Sequence, residues 1–438
     1  MTNMAEPVYF LNLEIENFRC FKIRQKLDLS DGKGNWKKWT VILGDNGTGK
    51  SSLLELLATS EIEEHISKDN KDNVFGPIAK ISGSTKATFP LNNSSIGFCD
   101  IGLNIYWVHG RQGGEFSDLI SISFSQNYPF RVNIYNDKRL KKLLCFGYGA
   151  NRKMGTGSLS KLMDNNSETL FDDNARLINA EEWLLQLDYA ASKESDVRSF
   201  AINKRNQVKE ILIDLLPDIN DIRFSTPTKE NLNSFVEFQT PFGWVNIQQL
   251  SLGYKTMVAW MVDLAARMFE RYPDSDNPLA EPAIVLVDEI DLHLHPKWQR
   301  KIFDYLSDKF PQTQFIVTAH SPLVVQSAPI DANIVLLRKE GDHVVIDNEL
   351  ASVQNWRLDQ ILTSDLFGVD SARGNEAERK LEERKRLLGQ KNLTKEEEKR
   401  LEELNSFTNK LPTAYNMEDM EAMSLVREAA EYLKNQKK

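Results

Sequence analysis

Residues 44–51, with the sequence GDNGTGKS, constrain the fold of this chain more than any other segment. They fit the pattern G-x-x-x-x-G-K-[ST] at every fixed position, directly after the apolar run 40–43 and before a helical pattern. The glycines let the backbone curl until successive N–H groups point at phosphate oxygens, and the helix adds its positive dipole end. A turn that only joins a strand to a helix is the alternative. The context favours a nucleotide site on an α/β fold.

Each part of this phosphate loop has a predicted role toward ATP. Lys50 is predicted to reach the β- and γ-phosphates, and the Ser51 hydroxyl to hold Mg²⁺. The residues predicted to bind ATP are Asn46, Gly47, Thr48, Gly49, Lys50, Ser51 and Ser52. ATP and Mg²⁺ are therefore the expected cofactors.

Two carboxylates follow the apolar run 284–287. A buried strand there would place Asp288 at its carboxyl end, where α/β sheets bind ligands. Asp288 is then expected to assist Mg²⁺, and Glu289 to orient or deprotonate the attacking water. Taken alone, the same residues would fit a strand that ends in solvated acids. The phosphate loop makes the catalytic interpretation the better one.

His320 follows another buried strand pattern, 315–318. A histidine there could hydrogen-bond the γ-phosphate and sense hydrolysis. A lone histidine at a strand end is more often structural, so the sequence leaves both roles open.

Composition excludes several classes of protein. The chain has 438 residues, a net charge of −9 and three widely spaced cysteines. An odd, sparse cysteine content is typical of reduced thiols, and no apolar run approaches a membrane span. We therefore expect a cytoplasmic protein with no membrane association, and the acidic balance argues against a uniformly basic nucleic-acid surface.

The pattern of the chain predicts four segments. Residues 1–179 form an N-terminal lobe with the phosphate loop and insertions, and 180–220 form a helical lobe with apolar residues at helical spacing. Within the first lobe, strands are predicted at residues 10–18, 96–109, 119–126 and 130–135, and the polar stretch 60–95 is predicted to be a surface excursion. Residues 221–370 begin with a predicted hairpin, with arms at 234–239 and 243–247. From residue 249 onward they alternate loop, helix and strand, which is typical of a parallel sheet. Residues 371–438 form a charged helical extension, either a solvated hairpin or a partner-docking surface, with a capping box at Thr394 and a last helix at 417–435.

Residues 249–254 (QLSLGY) precede a helix and resemble the signature loop of ABC-type ATPases. With residues 44–52, Asp288, Glu289 and His320, they complete the motif order of that class. Residues 17–21 (NFRCF) are similar to the start of its RecF/SMC/Rad50 branch. Residues 288–299 (DEIDLHLHPKWQ) resemble anti-phage ATPases and overcoming-lysogenisation-defect nucleases, and residues 356–362 resemble the ATPase subunit of Septu-type and retron-associated defence operons.

The resemblance implies an ABC-type P-loop ATPase head, with a mixed β lobe, a parallel-sheet lobe and a helical lobe. In such a head the site is split between chains, so Ser251 and Gly253 would contact the γ-phosphate in trans. ATP would then drive a homodimer or higher homo-oligomer, and hydrolysis would reopen it. The resemblance also implies that Arg19 contributes to ATP binding.

This sequence departs from the class at several positions. The signature lacks the second glycine and the glutamine, and the D-loop aspartate position falls at His295. For the Q-loop, Gln126 and residues 147–152 are rival candidates. His293 and His295 also form an H-x-H pair, for which we prefer a subunit-interface loop to a zinc site because neither a cysteine nor a third histidine is near.

The function implied by the resemblance is that of an ATP-hydrolysing subunit in a bacterial anti-phage system. The stretch after His320 leaves little room for a Toprim nuclease domain, so a separate nuclease is expected, an HNH-type enzyme first. A RecF-like DNA repair clamp is the alternative, and a transport ATPase fits the opening strand poorly. DNA binding is possible through residues 138–142, which would equally fit an exposed turn.

Overall fold

The computed structural model describes residues 8–16, 18–58, 62–65, 74–77, 99–107, 118–125, 128–133, 144–157, 166–229, 232–348, 353, 356–369, 371–390 and 392–411. The chain divides into two compact units, 1–361 and 362–438. The strands are β1 (Val8–Glu16), β2 (Gln25–Asp28), β3 (Trp39–Gly44), β4 (Ile62–His65), β5 (Val74–Pro77), β6 (Cys99–Trp107), β7 (Asp118–Ser125), β8 (Tyr128–Asn133), β9 (Cys145–Tyr148), β10 (Asp221–Phe224), β11 (Val236–Thr240), β12 (Gly243–Asn246), β13 (Ala283–Val287), β14 (Thr313–Thr318), β15 (Asn333–Glu340) and β16 (His343–Asp347).

Helices cover these strands and form the segments between them. They are α1 (Lys50–Ala58), α2 (Glu168–Phe171), α3 (Ala180–Ser192), α4 (Arg198–Leu215), α5 (Leu252–Arg271), α6 (Pro296–Gln299), α7 (Ile302–Lys309), α8 (Pro322–Ser327), α9 (Leu358–Leu362), α10 (Asn375–Leu388) and α11 (Lys395–Lys410). Among the described helices, none combines the length and apolar composition that crossing a membrane requires.

The central sheet has the strand order β16-β15-β3-β14-β13-β9. Neighbours from β15 to β9 pair in parallel, and β16 is an antiparallel edge strand. Every residue of β13 and β14 is buried, as expected for strands with both faces covered. All of β13 is apolar, whereas β14 has the apolar run 315–317 between buried polar residues. The predicted α/β fold, with a mixed sheet and helices, is therefore confirmed. The carboxyl ends of β3, β13 and β14 meet at one edge of the sheet.

A second sheet, of order β2-β1-β6-β7-β8, is antiparallel throughout. Alternation in the sequence predicted its first strand and three further strands between residues 96 and 135, and the structure confirms all four. Most of the predicted surface excursion at residues 60–95 lies outside the described residues, apart from the pair β4 and β5. The basic run 138–142 also lies outside them.

The helical pattern over residues 180–216 corresponds to α3 and α4, which pack against each other and on α5. Helix α5 is buried at every position from Thr256 to Phe269. Residues 236–246 form the predicted hairpin as β11 and β12. This lobe therefore surrounds a central helix whose first turn carries the signature-like sequence.

The unit 362–438 contains an antiparallel pair of charged helices, α10 and α11. The predicted capping box is present, because the Thr394 side chain accepts a hydrogen bond from the Glu397 N–H and the Glu397 carboxylate accepts one in return. Leu387 and Leu404 are the buried apolar residues of the pair. The helix predicted for residues 417–435 lies outside the described residues.

Candidate nucleotide site

The phosphate loop connects β3 to α1, and its glycines adopt backbone conformations that other residues rarely do. Gly44 has a φ of 147° and Gly49 a φ of 90°, where side chains are strained. A Cβ on Gly49 would also lie 2.6 Å from the Cys20 sulfur. The Thr48 hydroxyl donates to the Asp45 carbonyl at 2.8 Å and fixes the turn. The loop thus has the backbone that its glycine spacing predicted.

Lys50 turns back toward its own loop. Its ammonium donates to the carbonyl oxygens of Gly44 at 2.8 Å and Asp45 at 3.0 Å. Burial lowers the pKa of Lys50, and the nearby carboxylates of Asp288 and Glu289 oppose that shift. The lysine therefore contributes positive charge inside the loop where phosphates would bind.

Ser51 and Asp288 meet at the carboxyl edge of the sheet. The Ser51 hydroxyl donates to Oδ2 of Asp288 at 2.6 Å, and the Thr318 hydroxyl donates to Oδ1 at 2.5 Å. Mg²⁺ is commonly held by one or two protein oxygens together with substrate phosphates. These oxygens fit that ion, and no cluster of three or more acidic, histidine or cysteine ligands exists among the described residues. Thr318 was not among the predicted site residues.

Glu289 directly follows Asp288 and has a left-handed backbone, with a φ of 48°. This conformation costs roughly 1–2 kcal/mol for a residue with a Cβ. The Glu289 N–H donates to the Thr318 hydroxyl at 2.7 Å. Its carboxylate is about one-third exposed, so water has access to it. The geometry suits a group that must present an oxygen to a water molecule.

His320 lies beside Glu289. Its Nε2 is 4.0 Å from Oε1 of Glu289. The His320 N–H donates to the carboxylate of Asp291, with the shorter contact at 3.1 Å to Oδ2. Asp291 was also missed as a site residue, although it stands two positions after Glu289. Its carboxylate fixes the backbone that carries the histidine.

Arg152 lies beneath these acids and is only 2% exposed. It follows β9, which pairs with the acidic strand β13. Of the two candidates for a Q-loop, residues 147–152 therefore lie at the site, while Gln126 is outside the described residues. The guanidinium donates to backbone carbonyls of the acidic turn.

Arg19 lies at the outer side of α1. Its guanidinium donates to the Ser52 hydroxyl at 2.6 Å and pairs with the Glu55 carboxylate at 2.7 Å. Arg19 also has a left-handed backbone, with a φ of 49°. Since Ser52 belongs to the phosphate loop's helix, both predicted ATP-binding residues lie together near the loop.

The signature-like residues lie at the start of α5. Ser251 occupies the N-cap position without a capping side-chain bond, and it is exposed. A Cβ on Gly253 would lie 2.5 Å from the His293 carbonyl oxygen, so only glycine fits there. Within the described part of the chain, neither Ser251 nor Gly253 hydrogen-bonds to the phosphate loop. Ser251 and Gly253 are therefore the predicted site residues that a single chain does not place beside the phosphate loop.

The H-x-H pair has a structural explanation. Nδ1 of His295 accepts from the Lys297 N–H at 3.2 Å and caps α6. His293 has a left-handed backbone, with a φ of 63°, and supplies the carbonyl against Gly253. The pair thus shapes the turn beside the signature residues.

Family models match two parts of the chain. Residues 10–101 match "AAA ATPase domain", and residues 159–326 match "AAA domain, putative AbiEii toxin, Type IV TA system". Both descriptions belong to the P-loop nucleotide-binding class that the fold and the loop define.

The chain is similar in sequence to proteins of Septu and retron systems. The chain is 29% identical to the Septu protein PtuA of Bacillus mycoides, over 82% of this chain and 44% of that protein. It is 25% identical to the "Retron Vc95 probable ATPase" of Vibrio cholerae, over 74% of each chain. It is 41% identical to the "Retron Ec83 probable ATPase" of Escherichia coli, over 27% of this chain and 21% of that protein. The predicted resemblance to Septu and retron ATPases is confirmed.

Two facts complete the comparison. The chain spans less than half the length of the Septu relative from Bacillus mycoides. Among solved structures, an SmcHead bound to the C-winged helix domain of ScpA is similar with a TM-score of 0.46 and 16% identity, over 77% of this chain and 97% of that one.

Proposed function

We propose that this chain is an ABC-type ATPase that binds ATP with Mg²⁺ and serves a bacterial anti-phage system by controlling a separate nuclease. The observation that carries the ATPase proposal is the bond between Ser51 and Asp288 at the mouth of the phosphate loop. The Ser51 hydroxyl of the phosphate loop and the Asp288 carboxylate of the acidic strand face each other there, as Mg²⁺–nucleotide chemistry requires.

The proposed hydrolysis assigns one task to each group. The loop N–H groups and Lys50 bind the phosphates, while Ser51 and Asp288 would hold Mg²⁺, which neutralises charge that develops on the phosphate oxygens. Glu289 accepts a proton from the attacking water. The water oxygen then bonds to the γ-phosphorus, while the bond between the γ-phosphorus and the oxygen that bridges it to the β-phosphate breaks. His320 is close enough to Glu289 to respond to that step.

In the proposed oligomer, a second copy of the chain covers the nucleotide site of the first and supplies the signature residues Ser251 and Gly253. Ser251 is exposed at the start of a 20-residue helix, and Leu252 beside it is 59% exposed. The N–H groups in the first turn of α5 could donate to a phosphate, and the exposed leucine could pack against a second chain. Both features are typical of a surface that a partner covers. A homodimer or higher homo-oligomer would therefore form when ATP bridges Lys50 of one copy and Ser251 of the other.

The nuclease partner is proposed from the relatives. Septu and retron names among them support a defence setting. An HNH-type endonuclease encoded beside this chain is the first candidate, and direct DNA binding would be an addition to that role. The sparse, odd cysteine content supports the proposal that the chain acts in the cytoplasm.

A trapped variant tests the proposal. Glu289→Gln should bind ATP, hydrolyse it at least 10²-fold more slowly and remain an oligomer, because only the proton acceptor is lost. Purified with its neighbouring genes, it should retain a nuclease, while Lys50→Ala should bind no ATP and give no protection against phage. Recovery of DNA without a protein partner would favour a RecF-like clamp. Unchanged hydrolysis in Glu289→Gln would reject the assignment of the base.

A further inference from the structure

Arg152 makes three hydrogen bonds to backbone carbonyls from one buried guanidinium. Nη1 donates to the carbonyls of Gly149 at 3.0 Å and Asp288 at 2.5 Å. Nη2 donates to the carbonyl of Glu289 at 2.9 Å. The side chain therefore binds the main chain of both acids and leaves their carboxylates free for chemistry.

These bonds hold a backbone that is otherwise disfavoured. The left-handed conformation of Glu289 is stabilised from both sides, because Thr318 accepts from its N–H and Arg152 donates to its carbonyl. The Leu292 N–H also donates to that carbonyl, at 3.0 Å. The conformation at this residue decides where the carboxylate points, since its Cβ follows the backbone.

The guanidinium in turn packs on the helix that carries the signature residues. The Arg152 Cζ lies 5.6 Å from the ring centroid of Trp260, in the middle of α5. Trp260 is fully buried and packs edge-on against Tyr148, with ring centroids 5.9 Å apart. A single path of packed side chains thus joins α5 to the acidic turn.

The charge of Arg152 is compatible with its burial. Burial lowers its pKa to about 10, and the carboxylates of Asp288, Asp291 and Glu289 oppose the shift. The group is therefore cationic at neutral pH, where charged donors make the stronger hydrogen bonds.

We propose that Arg152 is a positioning residue for hydrolysis, which holds the backbone of Glu289 so that its carboxylate meets the attacking water, and that Trp260 positions Arg152. This inference rests on the ATPase function proposed above. It assigns Arg152 no contact with ATP, so its loss should change the rate of the chemical step and leave nucleotide binding intact.

The test compares variants of the full chain in steady-state ATP hydrolysis. Arg152→Met should lower kcat by roughly 10²-fold, as misplacement of a catalytic group does, while KM and the dissociation constant for ATP change less than threefold. Arg152→Lys should recover part of the rate, because an ammonium can reach one or two of the carbonyls. Trp260→Leu should lower kcat by a smaller factor. Arg176→Met, at an exposed arginine in the same region, is the control.

A double variant separates positioning from general support of the fold. In a Glu289→Gln background, adding Arg152→Met should change kcat less than threefold, because the group that it positions is already lost. Equal losses in both backgrounds, or a parallel loss of ATP affinity, would overturn the proposal while leaving the ATPase function standing. If Arg152→Met fails to fold, the same comparison with Arg152→Lys decides. Wild-type protein without ATPase activity would overturn both proposals.

Discussion

The Ser51 hydroxyl and the Asp288 carboxylate lie 2.6 Å apart, although 237 positions separate them in the chain. The bond joins the first turn of α1 to the carboxyl end of β13. It requires β3, β14 and β13 to be adjacent and parallel, so it reports on the whole centre of the sheet. A side-chain pair that depends on so much structure is a sensitive place to test the site.

Ser51→Ala is expected to raise the Mg²⁺ concentration for half-maximal ATP hydrolysis by about tenfold, since one oxygen ligand is lost. A magnesium titration at saturating ATP measures it. Ser52→Ala is the matched comparison, because that hydroxyl accepts from Arg19 and does not contact Asp288. Its magnesium requirement should change less than that of Ser51→Ala. Equal shifts in both variants would argue against the assigned ligand.

Gly253→Ala is expected to abolish ATP-dependent oligomerisation. The new Cβ would lie 2.5 Å from the His293 carbonyl oxygen, so the signature turn must move. Sedimentation velocity with and without ATP measures the effect, and ATP binding to the single chain should persist. Gly157→Ala has open space around the Cβ and serves as the control. An oligomer that forms normally in Gly253→Ala would contradict the role of this turn.

Lys204→Met is expected to raise the free energy of unfolding by about 1 kcal/mol at pH 7. The gain is smaller than the full pKa shift represents, because the variant also loses the ammonium's contacts with the Phe200 and Phe269 rings. Burial lowers the pKa of Lys204 to about 8 from 10.5, although its ammonium donates to the Phe269 carbonyl at 3.3 Å. Below pH 8 Lys204 is therefore protonated in the folded protein, and its buried charge lowers the free energy of unfolding.

Between pH 8 and 10.5 the unfolded chain binds more protons at this site, so the wild type gains stability as pH rises. The difference in free energy of unfolding between Lys204→Met and the wild type should therefore decrease between pH 8 and 10.5. Urea denaturation at pH 7 and pH 9.5 measures it, with Lys209→Met on the same helix as the control. A difference that is constant with pH would contradict the lowered pKa.

Asp263→Asn is expected to destabilise the protein by roughly 3 kcal/mol, because it leaves a buried guanidinium without its counter-charge. Asp263 is fully buried, accepts from the Tyr148 hydroxyl at 3.0 Å and pairs with Arg267 at 2.7 Å. Thermal unfolding measures the loss. The double variant Asp263→Leu with Arg267→Met should recover part of the lost stability, because no buried charge is left unpaired. If the double variant is as unstable as Asp263→Asn, the loss comes from packing and not from the unpaired charge.

The sequence predicted the phosphate loop and the acidic strand because each is a contiguous pattern. Their chemistry resides in neighbouring residues, and the strand and helix around Gly49 are strong local signals. The order of β3, β13 and β14 in the sheet could only be expected by analogy, since pairing between distant segments leaves no mark on either one.

Backbone contacts explain what the sequence left open. Arg152 stands within the Q-loop candidate 147–152, but its bonds to backbone carbonyls belong to no pattern of functional side chains, so its role could not be predicted. Asp291 accepts from a backbone N–H and was missed for the same reason. Thr318 stood in the predicted strand, but a threonine there equally suits β structure. One missed feature did leave a signal: Asp263 and Arg267 stand four apart in an otherwise apolar helical pattern, which is the spacing of a buried ion pair.

The strand order also sets when the site can first exist during synthesis. Strand β3 is made long before its two neighbours, β14 and β15. Thr40 lies opposite Ile316 on one side, and Ile42 lies opposite Val335 on the other. Ribosomes add about 5–20 residues per second, so the loop would wait roughly 15–60 s for the strands that hold it. A product that stops before β15 would carry the whole GDNGTGKS segment and still lack the sheet that gives it a shape.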